Sequence, residues 1–279
     1  MALGRNLLRP WLPNKAMQIK KPFHFMKFLK GSRGFSMIEI LIASTLGVIV
    51  LGVMVSMFVQ EDKIIQRQSE HTDIRAKGRH LIKVLAKEIR MAGFGLPPDV
   101  GVTDISATDS VTFLVNLDDV RTSTPPGAAG TNAVTLGDST ITVVNGSGFS
   151  DGDDIVIYDP SFRVYELNTV SGSPAATTIP LGSTVASTYT YTSNSRLVTV
   201  NQYNTVIIYQ DGTAVKKSID GTITTIISDP SISALTFTYD SATAAGVDKI
   251  GITLTMVDPN NASLGVIEFN SDVSLRNSS

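Results

Sequence analysis

One carboxylate, Glu39, stands at the head of a run that carries no further charge until Glu61. Residues 40–60 are 21 in number, about 30 Å of helix at about 1.5 Å per residue, which matches the thickness of a hydrocarbon core. A carboxylate near the end of such a segment costs on the order of 2–3 kcal/mol or less, because it reaches toward the headgroups. A tolerated boundary charge is the plain reading. The neighbours of Glu39 favour a sharper one. In "RGFSMIE", Arg33 precedes Gly34 and Phe35, and Glu39 follows Phe35 by four positions. Cleavage after Gly34 would give Phe35 a free α-amino group one helical turn from Glu39. The carboxylate would pair with such an amine, its own or that of a neighbouring subunit. In lipid that pairing offsets much of the desolvation of both groups.

The flanks of the run give it a direction. Lys27, Lys30 and Arg33 lie before it, and Glu61 and Asp62 beside Lys63 lie after it. Positive charge stays on the cytoplasmic side, so the chain beyond residue 60 is expected to cross outward. An ordinary cleaved secretory signal would need small residues at a cleavage site after the run. "SMFVQEDK" lacks them.

Other chemistry is sparse. There is no cysteine, hence neither a disulfide nor a thiolate metal site. The chain holds no phosphate-binding loop and no H-E-x-x-H, and its only histidines after the run, His71 and His80, belong to a helical stretch. No enzyme is expected. Asp151, Asp153 and Asp154 in "DGDD" are weak candidates for calcium ligation, against a tight turn entering a strand. No other cofactor is expected. Asp118 and Asp119 read as a solvated turn. Residues 1–34 carry eight basic and no acidic groups, whereas the chain beyond residue 93 has seven basic against nineteen acidic, a net of −12. A nucleic-acid partner is therefore not expected unless a local patch, around Lys216 and Lys217, overrides that sign.

These groups must be positioned by a long helix and a β-rich head. Beyond the apolar run, Ile74, Gly78, Leu81, Ile82, Leu85, Ile89 and Ala92 recur at spacings of three and four, drawing one apolar stripe. Asp73 and Lys77 form an i,i+4 pair. "MAGFGLPP" should end the helix, through Gly93, Gly95, Pro97 and Pro98. From residue 99 the sequence turns to short alternating runs at 111–116, 139–144, 154–159, 196–200, 204–210, 222–228, 234–240 and 249–258. "YQDGTAVKKSIDGTITT" reads as a meander of tight Asp-Gly hairpins. The fold class is α+β: a long N-terminal helix, transmembrane in its first half and amphipathic in its second, laid on one sheet of a mostly antiparallel head.

At Gly34, Phe35 and Glu39, with the basic stretch before them and "ILIASTLGVIVLGVMVSMF" after them, the sequence resembles the type IV prepilins and type II secretion pseudopilins. The resemblance implies a pilin-like fold, cleavage between Gly34 and Phe35 by prepilin peptidase, and N-methylation of Phe35. It also implies that Glu39 neutralises the N-terminus of an adjacent subunit during assembly. A 34-residue leader is long for this family. Met26 opens the nine-residue leader "MKFLKGSRG" and is the expected start, a true N-terminal extension being the other reading. The expected division is then a leader at 1–34, a membrane half at 35–60, an amphipathic half at 61–92 and a head at 93–279.

In the head, "AGFGLPP", "GFSDGDDIVIYD" and "SDVSLRN" look like the larger minor pilins of the PilW type, which are related to the J-type minor pseudopilins. The resemblance implies a minor pilin that starts in the inner membrane, with its N-terminus cytoplasmic and its head periplasmic, and ends in a pilus at the cell surface. Its partners would be prepilin peptidase, other major and minor pilins, the assembly platform and membrane lipid. The alternatives are a J-type minor pseudopilin of a type II secretion system, a pilus-tip adhesin or binding module, and a membrane-anchored protein that never polymerises.

Overall fold

Met37–Ile89 form one α-helix of 53 residues, α1, which no proline interrupts. The computed structural model describes residues 34–98, 100–191, 197–260 and 265–276. Residues 1–33 of the expected leader, with Met26, Lys27, Lys30 and Arg33, lie outside them, as does Arg196 of one expected strand. The chain falls into two compact units, Met1–Glu61 and Asp62–Ser279.

In the first unit every described residue is exposed, and the large apolar side chains from Phe35 to Val59 are between 48% and 84% exposed. The hydroxyls within its helix are satisfied by the helix's own carbonyls. Thr45 Oγ1 donates to Leu41 O at 2.8 Å, Ser44 Oγ to Leu41 O at 3.0 Å and Ser56 Oγ to Val53 O at 3.1 Å. This helix is long and apolar enough to cross a membrane.

In the second unit α1 buries the expected stripe: Ile74, Gly78, Leu81, Ile82, Leu85 and Ile89, joined by Ala86. Leu85 and Ile89 are 0% exposed, and burial of side chains of this size contributes about 1.5–3 kcal/mol each. The helix ends two residues before Met91, and a left-handed Gly93 turns the chain so that its N–H donates to Leu114 O at 2.8 Å.

The stripe packs on two sheets rather than the expected one. The first runs in the order β1 (Val102–Asp104), β2 (Ser110–Val115), β11 (Asn204–Asp211), β12 (Ala214–Ile219) and β13 (Thr222–Ser228). The second comprises β14 (Ile232–Tyr239), β15 (Lys249–Val257) and β16 (Val266–Ser274). Both sheets share one hydrophobic core with α1. No ladder joins them among the described residues. The Gln210 side chain accepts from Leu235 N at 2.7 Å, and Phe237 N donates to Thr108 O at 2.7 Å. The expected Asp-Gly hairpins are present. At the β12–β13 turn, Asp220 and Gly221 have φ of 47° and 84°, the left-handed pair of a tight hairpin. The Asp220 carboxylate accepts from Thr205 N at 2.7 Å and from Asn204 Nδ2 at 2.9 Å.

Residues 116–203 leave the sheet at β2 and return at β11. They form a four-stranded sheet in the order β3 (Arg121–Ser123), β10 (Thr199–Gln202), β6 (Asp154–Asp159) and β7 (Val164–Thr169). Two ribbons accompany it: β4 (Asn132–Val134) with β9 (Tyr189–Thr190), and β5 (Thr140–Thr142) with β8 (Thr178–Pro180). This insertion has its own core, including Ile155, Ile157, Val200, Ile141 and Tyr189. Leu96, Val100, Leu114 and Val156 form a small third cluster between the two. Every strand pairing among the described residues is antiparallel.

Candidate functional site

Gly34, Phe35 and Ser36 precede the helix, which starts at Met37. Ser36 O accepts from Ile40 N at 3.2 Å and from Glu39 N at 2.9 Å. Ser36 is thereby the N-cap and Glu39 the third helical residue. The positive end of the helix dipole favours a carboxylate there by about 0.3–1 kcal/mol. Phe35, Glu39, Ile40, Ala43 and Ser44 line one shallow groove of about 410 Å³. Glu39 is the one charge on it.

Two features of this turn have no explanation in packing. A Cβ built on Gly34 meets no described atom within 4 Å. The Glu39 carboxylate makes no hydrogen bond or ion pair with any described residue. Ser36 and Glu39 also have the S-x-x-E spacing of a capping box, a signal that the reading of the cleavage motif passes over. Neither reciprocal side-chain bond of such a box is formed. Glu39 is thus an unpaired carboxylate on a bare apolar helix, placed where no described residue of its own chain answers it.

The weaker candidates fall elsewhere. Asp153 Oδ2 accepts from Ser150 N at 2.7 Å, and Asp151 Oδ1 accepts from Gly172 N at 2.6 Å, so both serve the turn before β6. Asp154 stands on β6 itself. Burial, with Asp220 and Asp153 near it, pushes its carboxyl above the ordinary value. Among the described residues no three His, Asp or Glu side chains come together to hold a metal. Asp119 pairs with Arg121 at 3.5 Å in an exposed turn. His80 is exposed and His71 half-exposed, on the helix surface. Lys217 pairs with Glu88 of α1 at 3.0 Å, and Lys216 pairs with Asp211, so each carries a carboxylate partner.

Sequence reasoning does not find the contacts that hold α1 on the head. Lys77 pairs with Asp73 at 2.8 Å, as expected, and also with Asp229 at 3.0 Å. The Asp229 carboxylate further accepts from Ser231 N at 2.9 Å and from Ser231 Oγ at 2.6 Å. No local pattern announces a partner so distant in sequence. No family model, no curated protein and no solved structure matches this chain.

Proposed function

We propose that this chain is a minor subunit of a type IV pilus, made as a precursor, cleaved between Gly34 and Phe35 by prepilin peptidase and methylated on Phe35. The observation that carries the reading is Glu39, which no described residue pairs, at the start of a helix whose first half is apolar and exposed and one turn from the proposed new N-terminus. In a fibre core or in lipid, an isolated carboxylate is costly unless a cation meets it. The free amine of a neighbouring subunit's first residue is such a cation. Gly34 supports the same reading, since no described residue crowds it and a glycine there fits recognition by a processing enzyme. The β-rich second unit is large for a repeated shaft subunit, which favours a low-copy place at the tip or in initiation.

The test is Glu39→Ala. Cleavage should persist, because the scissile bond and its flanks are unchanged. Removing one partner of a desolvated charge pair costs about 2–5 kcal/mol, about 30-fold or more in equilibrium terms. The variant should accumulate as processed protein in membranes and disappear from sheared filaments. Normal recovery of Glu39→Ala in filaments would contradict the assembly role.

A further inference from the structure

The register of the insertion's four-stranded sheet places Thr199 beside Tyr158, and Asn201 beside Val156, on the face away from the insertion core. Residues 95–97 lie over the Val156 end of that face. Leu96 clusters with Val156, and Asn201 Nδ2 donates to Gly95 O at 2.9 Å. The Tyr158 end remains open as a cleft of about 310 Å³, whose apolar sides include Pro97 and Pro160.

Two polar side chains of this cleft are largely buried. Tyr158 is 7% exposed and Asn201 8% exposed. The Asn201 Oδ1 atom has no hydrogen-bond partner, and the Tyr158 hydroxyl makes no hydrogen bond to a described residue. The Asn201 Oδ1 is sealed from solvent and is not offered to the cleft, whereas an unpaired hydroxyl such as that of Tyr158 on the lining suits a polar ligand. Thr199 adds a hydroxyl. Arg121 is the one charged side chain on the lining, and its Nε lies 3.5 Å from the Asp119 carboxylate, which balances it.

We propose that this cleft binds a neutral pyranose. Proline and leucine edges suit the C–H faces of a sugar ring, and the hydroxyl, amide and guanidinium groups suit its rim of hydroxyls. No unbalanced charge is present to select an anion or a cation, and a volume near 300 Å³ lies at the lower end of the range for small-molecule sites. The proposal concerns the head alone and does not rest on processing at Gly34.

Methyl α-D-glucopyranoside, methyl β-D-galactopyranoside and a polyproline peptide would each be titrated into the full chain, held in zwitterionic micelles free of sugar detergent. Binding would be read by NMR at the Arg121 Nε–H and in the ligand spectrum. The expected result is saturable binding of at least one glycoside with a Kd of about 1–10 mM. It should move the Arg121 signal and weaken by about fivefold or more in Tyr158→Phe and in Thr199→Val. Leu136→Ser, outside the cleft, should bind as the wild type does. No saturation by either glycoside at about 50 mM would overturn the proposal. So would glycoside binding indifferent to both cleft variants, or saturation by the peptide alone. If Tyr158→Phe fails to fold, the wild-type Arg121 shift and Thr199→Val decide.

Discussion

Gly78 shows how much one missing Cβ matters to the seating of α1. A Cβ built there would collide with the Phe269 ring on β16. Alanine at a helix interior gains about 1 kcal/mol over glycine, whereas overpacking costs about 1–3 kcal/mol. The Phe269 ring is only partly buried and has some room to yield. Gly78→Ala should therefore destabilise the full chain by about 1 kcal/mol, measured by denaturant unfolding in micelles. In a Phe269→Ala background the same change should turn stabilising, because only the propensity gain is left. Equal effects in both backgrounds would show that the ring is not the obstacle. At this scale the sequence is legible where a signal is local. Gly34, Phe35 and Glu39 lie within six residues, and their spacing speaks for itself. Asn201 and Tyr158 give no such signal, because only the folded register brings them to one cleft.

The helix and the loop between the two sheets are tied by Lys77 and Asp229. Burial works against ionisation of the Asp229 carboxyl, but the Ser231 hydroxyl and amide, with Lys77, outweigh it and hold the group below its ordinary value. A carboxyl so depressed contributes stability above the unfolded value, about pH 4, and that contribution is lost as pH falls through the folded value. Asp229→Asn should destabilise the protein by about 1 kcal/mol at neutral pH, and should lose less than the wild type on acidification below about pH 4. Parallel acid profiles would contradict the assigned partners. At the level of elements, the apolar stripe of α1 and a strand such as β15 are legible because their periods are strict. β7 is not, since Glu166 and Asn168 break its apolar residues, and β16 stands out weakly, because Ile267, Phe269 and Val273 alternate with Glu268, Asn270 and Asp272 but only Val273 is buried. β16 instead draws much of its definition from nine register pairs with β15. The expected single sheet under α1 proves to be two, because strand runs do not state which neighbours they pair with.

The head carries two cores, and their connection is simple. Val115 of β2 and Asn204 of β11 face each other directly in an antiparallel pair. Everything between them is an excursion from one hairpin. Replacing residues 116–203 with Asn-Gly should leave α1 and its two sheets folded, with a cooperative melt and a lower midpoint, since Leu96 and Leu114 lose the cover of Val156. Loss of all cooperative structure would show that the insertion is required for the rest to fold. Composition does not reveal this division, as both cores draw on the same Val, Ile, Thr and Ser. At the scale of the molecule, a bare apolar helix half and a β-rich unit bearing the other half make sense together if Phe35 becomes the N-terminus of an assembling subunit. Mass spectrometry of the N-terminal peptide, on membranes and on sheared filaments in parallel, tests this most directly. A peptide beginning with N-methyl-Phe35 in both fractions is the predicted result. A peptide that retains residues before Gly34 in both fractions would contradict the account and leave Glu39 as a tolerated charge at the edge of a membrane anchor.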